Sequence, residues 1–275
     1  MLPALPLRRY ISCYYIFDLP LEQMDDVLLP ELANIRFCLR GGWTAMLPGS
    51  PPSPCPRAML VGMRTKPLAI RAHGPIRLMG VGLLPAGWHA LFGVDASELA
   101  DGIHDLRDII GADADRALWR MMEARDDGAL AAAADDLFLA MARQSRRESP
   151  WFIDAVDNWL VGAGNSSVDG LAARLDLSTR QVERLINGVY GCSPKRLVRK
   201  YRFLRAVSVM VNDADSRWLD AAGDDFYDQS HFIRDFKAFS GMTPGQFMAQ
   251  NAAIARVTMT LKRSLPGLSP LALIS

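Results

Sequence analysis

The chain has 275 residues, 50% of them hydrophobic, with 31 Lys plus Arg against 30 Asp plus Glu and a formal net charge of +1. That length and apolar content suffice for a large core in about two domains, and no uncharged apolar run approaches the ~20 residues that a bilayer crossing needs. A near-neutral balance excludes a protein that grips nucleic acid by bulk charge, so any such binding rests on local basic clusters and is lost steeply with salt.

The start, Met1-Leu2-Pro3-Ala4-Leu5-Pro6-Leu7-Arg8-Arg9, places prolines among its apolar residues and its charges after them, which is not the form of a secretion signal. With no export signal, the scattered Cys13, Cys38, Cys55 and Cys192 are expected to be reduced thiols in a cytoplasmic protein. Over residues 1–112, glycines and prolines punctuate short apolar runs: Ile35–Leu39, Ala58–Val61, Leu68–Arg71 and Ile76–Leu83. Short strands separated by turn signals predict a β-sandwich or small barrel. His73, His89 and His104 fall in or near this region without a His-X-His pair, and His231 lies far from them, so neither a metal site nor a cofactor is expected. A barrel of this kind can hold an apolar effector, with Trp43 and Trp88 as wall candidates, although an aromatic in a β-domain is more often core.

From residue 113 to 147 the pattern turns helical. Leu118, Met121, Met122, Leu130, Ala134, Leu137 and Met141 recur at three- and four-residue steps, with a break at Asp126-Asp127-Gly128. This stripe packs on the chain's own β-domain or, on the sharper reading, forms a homodimer. Gln144–Pro150 reads as a linker, and a further helix begins near Trp151.

Residues 148–250 contain an internal repeat. Gly191-Cys192-Ser193-Pro194 returns as Gly241-Met242-Thr243-Pro244, and Val182, Ile186 and Ser178 return as Phe232, Phe236 and Asp228, always at an offset of fifty. Asp176 and Asp225 are forty-nine apart, so the second copy has one extra residue in its turn. Ser178 with Gln181 is a capping box, Asp228 caps the matching helix, and Ser193-Pro194 and Thr243-Pro244 each start another helix. Each unit is therefore helix, turn, helix. Val182, Leu185 and Ile186, and Phe232, Phe236 and Phe239, form the buried stripes of the two capped helices. The opposite faces carry Arg180, Gln181, Glu183 and Arg184 on the first, and Gln229, Ser230, His231 and Arg234 on the second. Arg grips guanine O6/N7 and amides grip adenine in the major groove, so two tandem faces of this kind point to base reading. Between the units, Lys195, Arg196, Arg199, Lys200, Arg202 and Arg205 fall on one helix with no acid among them. Such a run is often a plain solvated face. Beside two reading heads it is expected to meet phosphates, chiefly through Lys195, Arg196, Arg199, Lys200 and Arg202. The tail, residues 251–275, has no role assigned by its pattern.

Leu171-Ala172, Leu177-Ser178, Arg184-Leu185, Gly191, Ser193-Pro194, Asp228–Phe232, Phe236, Gly241, Thr243-Pro244 and Phe247 together resemble the DNA-binding domain of AraC/XylS-type bacterial transcription regulators. The resemblance implies an α+β multidomain chain: a mainly-β, cupin-like N-terminal domain with following helices, then an all-α domain of two helix-turn-helix units joined by a long helix. Leu29-Pro30-Glu31-Leu32 and Leu84-Pro85-Ala86-Gly87-Trp88 look like a sensor-domain subtype of that family. The family usually has glycine in each turn where this chain has Asp176 and Asp225, and Asp adopts positive φ better than most residues. Implied partners are double-stranded DNA, a small-molecule effector or dimer contact, and RNA polymerase if the protein activates. No enzymatic activity and no membrane are implied. The alternative is a cupin-type enzyme or ligand-binding protein with a helical interaction module.

Overall fold

The computed structural model describes the chain except for residues 48, 146–150, 163–166, 213–225, 227, 250–252, 266 and 275. The expected linker end and the Asp225 turn lie outside the described residues.

After a 3-10 turn at Leu5–Leu7 come β1 (Ile11–Leu19), β2 (Gln23–Leu28), β3 (Asn34–Met46), β4 (Ser53–Pro54), β5 (Ala58–Val61) and β6 (Leu68–Leu83). With β7 (Ile103–Asp105) they form one 7-stranded sheet in the order β1-β6-β3-β5-β7, with β2 also on β6 and β4 on β3. Every strand pair is antiparallel. The runs expected as separate strands at Leu68–Arg71 and Ile76–Leu83 are a single strand. Leu68–His73 pairs with β2 and Ile76–Leu83 with β1, while β3 runs along both halves. Gly74-Pro75 does not interrupt β6, because the ladder to β3 spans it and leaves only a shift in register there.

Helices α1 (Pro85–Leu91), α2 (Ala96–Leu99), α3 (Leu106–Ile110), α4 (Ala112–Met122) and α5 (Asp127–Gln144) follow or interleave with the last strand. The break between α4 and α5 falls at the aspartates, with Asp126 capping α5 by accepting from Ala129 N at 2.8 Å. Leu130, Ala134 and Phe138 of α5 are buried in the same cluster as Phe37, Val81 and Leu83 of the sheet. Tyr14 Oη also donates to Asp135 Oδ1 of α5 at 2.8 Å. The stripe thus packs on the chain's own sheet, while Trp119 and Met122 of α4 stay exposed.

The C-terminal part is helical among the described residues: α6 (Ile153–Val161), α7 (Val168–Leu175), α8 (Thr179–Tyr190), α9 (Pro194–Asn212), α10 (Gln229–Ser240), α11 (Pro244–Ala249), α12 (Ala253–Ser264) and α13 (Pro270–Ile274). Helices α7 and α8 form the first unit, and α10 is the capped helix of the second. Their cores differ. Val182, Ile186, Val189 and Tyr190 of α8 belong to the large cluster that also holds the sheet, whereas Phe232, Phe236 and Phe239 of α10 build a separate cluster with Phe203, Leu204 and Val207 of α9.

Candidate nucleic-acid interface

The caps that the repeat specifies are present. Ser178 Oγ accepts from Gln181 N at 3.3 Å while Gln181 Oε1 accepts from Ser178 N at 2.8 Å. Asp228 Oδ1 accepts from His231 N at 2.7 Å. Thr243 and Gln246 make a reciprocal pair at the start of α11, with Gln246 Oε1 accepting from Thr243 N at 2.9 Å and Thr243 Oγ1 from Gln246 N at 3.3 Å. Gly191 (φ 71) and Gly241 (φ 78) end α8 and α10 in the left-handed conformation. That conformation lets Gly N–H groups reach the carbonyls of Asn187 and Lys237 and turns the chain sharply into the next helix. Asp176 takes the same conformation (φ 53, ψ 43) at the end of α7, so its backbone does what the family's glycine would.

Arg180, Glu183 and Arg184 stand exposed on α8, and Gln229, Ser230 and Arg234 on α10. Gln181 is exposed as well, but its Oε1 is engaged by the cap, which leaves its amide NH₂ as the group able to read a base. His231 is turned partly inward. Its ring lies edge-on to Phe226 at 5.7 Å, and Nε2 sits 3.5 Å from Asp235 Oδ2.

The basic run on α9 departs most from expectation. Lys195 is exposed and Lys200 is buried, while Arg196, Arg199, Arg202 and Arg205 are half-buried and meet partners within the protein. Lys200 is 1% exposed and its ammonium donates to the backbone oxygen of Glu31 at 2.7 Å. Burial pushes its pKa down to about 8. Arg196 donates to Thr65 O at 3.1 Å, so these two residues tie α9 to the N-terminal domain. Arg199 grips Asp235 of α10 at 2.6 Å, and that carboxylate is 1% exposed. Arg202 has its guanidinium 5.5 Å from the Phe226 ring centroid and its Nε buried without a partner among the described residues. Arg205 donates to Leu160 O of α6 at 3.0 Å. The phosphate role expected of Lys200 is therefore corrected, because its ammonium is buried against Glu31 O; Arg196, Arg199 and Arg202 are half-buried and in this arrangement join helices and domains. The physical reason is length, since long aliphatic stems run over apolar surface and carry the charge to a buried acceptor. Sequence reasoning missed Asp235, although an acid three residues after Phe232 on the same helix is a signal that a cation must meet it.

The wall residues also divide. Trp88 is on α1, not on a strand, and is 1% exposed with Nε1 donating to Val94 O at 3.0 Å, so it is core and the pocket role is corrected. Trp43 lines a cavity of about 70 Å³ between the sheet, α9 and α12. Leu28, Leu29, Leu78, Leu204 and Met259 form much of its apolar wall. At one side Arg36 donates to Glu31 Oε1 at 2.6 Å and to Tyr15 Oη at 3.1 Å, and Tyr15 donates to Asn34 Oδ1 at 3.1 Å. Gly80 is needed there, since a Cβ on it would lie 1.9 Å from the Tyr15 ring. Burial pushes the Tyr15 phenol up to about 12; it opposes charge on Arg36 too, but Glu31 and Tyr15 hold that guanidinium above its ordinary range. No three His, Cys, Asp or Glu side chains gather as metal ligands among the described residues.

Residues 171–250 match the family model described as a helix-turn-helix domain, and residues 1–105 match a model described as a domain of unknown function. No curated protein matches the chain. Among solved structures, ToxT from Vibrio cholerae is similar at a TM-score of 0.50 and 9% identity, covering 87% of this chain and 98% of that one. An apo point variant of ToxT aligns at 0.49 and 11% identity over 86% and 96%. ToxT with bound unsaturated fatty acid aligns at 0.49 and 9% over 87% and 95%. The first of these likenesses shows a shared fold, a sheet-rich N-terminal domain followed by helix-turn-helix units. With the caps, the tandem repeat and the matched model together, residues 171–250 are an AraC-type helix-turn-helix domain, the DNA-binding part of a transcription regulator.

Proposed function

We propose that α8 and α10 enter successive major grooves and read base edges, that Lys195 supplies a phosphate contact, and that the cavity beside Trp43 holds an effector. The observation that carries the reading is the pair of capped helices whose outward faces present Arg180, Glu183 and Arg184 on one and Gln229, Ser230 and Arg234 on the other. The chemistry of the cavity favours an apolar small molecule with one hydrogen-bonding group: its wall is largely aliphatic, and Trp43 Nε1 is buried with no acceptor among the described residues. Trp119 and Met122, exposed three residues apart on α4, fit a homodimer contact. The protein acts as a cytoplasmic regulator without catalytic activity, and it meets RNA polymerase if it activates.

Selection of bound duplexes from a randomised library, at two salt concentrations, tests the base-reading role. Arg184→Ala is expected to cost about 1–3 kcal/mol of duplex binding and to relax preference at one position. Lys195→Ala is expected to weaken all sequences alike and flatten the salt dependence. Unchanged affinity and preference for Arg184→Ala would remove that residue from the interface.

A further inference from the structure

The tail has no assigned part in either domain, yet it closes the cavity. Ile254 N, at the start of α12, donates to Asp26 Oδ2 on β2 at 2.9 Å, and the helix then packs along β2 and α9. Ala255, Thr258, Met259 and Lys262 follow at three- and four-residue steps, and all of them line the cavity. Beyond the helix, Leu271 and Ala272 of α13 are 1% and 2% exposed, anchored against α6 and α9. The volume of about 70 Å³ is half the roughly 150 Å³ that accommodates benzene in an apolar interior. An effector of ordinary size therefore enters only if a wall moves. Of the strand walls, β3 and β6 are held by ladder hydrogen bonds on both sides and β1 and β2 by their full-length ladders to β6, and α9 is tied down by Lys200 and Arg199. Helix α12 carries its own backbone bonds and can swing as a body.

We propose that α12 is the gate of this cavity and that Thr258 and Met259 on its inner face set the size of molecule admitted. The proposal rests on the reading of the cavity as an effector site. It also assigns a direction to the signal. Ala255 and Met259 share an apolar cluster with Leu204 of α9 and with Phe232 and Phe236 of α10, so displacing α12 disturbs the packing of the second reading head and leaves the first in the other cluster.

The test is a reversible lock. In a Cys55→Ser background, Asp26→Cys and Ile254→Cys are joined by a short bis-thiosulfonate cross-linker that a reductant cleaves. The probe is anilinonaphthalene sulfonate, an amphipathic fluorophore whose apolar ring system carries one sulfonate and is too large for the closed cavity. The locked protein is expected to bind the probe at least tenfold more weakly than the same protein after reduction, and Met259→Ala without the lock to bind it more tightly than wild type. Equal probe affinity in the locked and reduced states, with the cross-link complete by mass, overturns the gate. Duplex affinity separates the two ideas: probe uptake by the reduced protein with no change in duplex affinity overturns the effector reading and leaves the gate standing. Should the double-cysteine protein fail to fold, Thr258→Trp fills the cavity from the gate side. Loss of probe binding then supports the proposal, and retained binding overturns it.

Discussion

The two helix-turn-helix units share caps, spacing and a left-handed glycine, but they are built into the molecule differently. Helix α8 packs against α1 and α2, and its buried Val182, Ile186, Val189 and Tyr190 are continuous with the core of the sheet. Gly191, at its end, faces Ala96 O and the Met63 side chain, so a Cβ there would meet both at 3.2 and 3.3 Å. Helix α10 makes its core from aromatic rings instead. Phe232 and Phe236 lie edge-on at 5.6 Å, Phe203 and Phe236 at 5.1 Å, and Phe236 and Phe247 at 5.5 Å. That cluster reaches the N-terminal domain through Leu29, which is also in the cavity wall. The first head is thus an extension of the sheet domain, while the second rests on a satellite core next to the cavity. A repeat in sequence does not give two mechanically equivalent parts.

The largest expected effect tests that separation. Phe236 is fully buried at the centre of the ring cluster, so Phe236→Ala should cost about 3–5 kcal/mol through lost burial and the cavity left behind. Hydrogen exchange should show α10 amides losing protection while those of α8 keep theirs. Simultaneous loss in both helices would mean one cooperative core and would break the comparison.

A second effect probes the tie between α9 and the sheet domain. The Lys200 ammonium is held at about 8 by burial, with Cys192, Glu31 and Asp101 favouring its charge and Arg64 opposing it. A folded-state value below the unfolded one means that the unfolded chain binds more protons across that window. Stability therefore rises with pH from about 8 to the ordinary lysine value near 10.5, and below about 8 the full cost of the buried charge is present. A shift of this size corresponds to on the order of 3 kcal/mol. Lys200→Met removes that cost but leaves the Glu31 carbonyl without its donor, a loss of about 1 kcal/mol. Denaturant midpoints should show the variant at least as stable as wild type near pH 7.5, with its advantage shrinking toward pH 10. A constant difference across that range would show that Lys200 is not buried in its charged form.

The two capped helices were legible because their signals are local. Ser178 with Gln181, Asp228, and each Gly-X-Ser/Thr-Pro fix caps and turns within a few residues, and Val182–Ile186 and Phe232–Phe236 set the buried faces by spacing alone. Lys200 was misread because charge was weighed above position. It lies three residues after Leu197 and four before Leu204, on the edge of the stripe that those two buried leucines mark. The fusion of Leu68–Arg71 and Ile76–Leu83 into β6 was hidden because Gly74-Pro75 reads as a turn until a long neighbour, β3, pairs on both sides of it. The cavity was out of reach altogether. Its walls come from residues as far apart as Tyr15 and Lys262, and no periodicity relates them.

The smallest effect concerns the turn of the first unit. Asp176 sits at φ 53, where an L-residue other than Gly, Asn or Asp costs about 1–2 kcal/mol. The conformation is imposed by the hydrogen bonds around it, Leu177 N to Ala172 O at 3.0 Å and Asp176 N to Ala173 O at 3.3 Å, which close the end of α7. Asp176→Gly relieves the residual strain but gives the unfolded chain more freedom, so the net gain should be no more than about 0.5 kcal/mol. Asp176→Ala keeps the unfolded chain constrained and has no polar side chain to ease positive φ, so it should lose about 1 kcal/mol. The order Gly, Asp, Ala in thermal stability is the result to look for. Because α8 is continuous with the sheet core, the shift should appear in the melting of the whole chain and not in the first unit alone. If Asp176→Ala melted with the wild type, the turn would not be demanding positive φ, and glycine in the family's turns would need a different explanation.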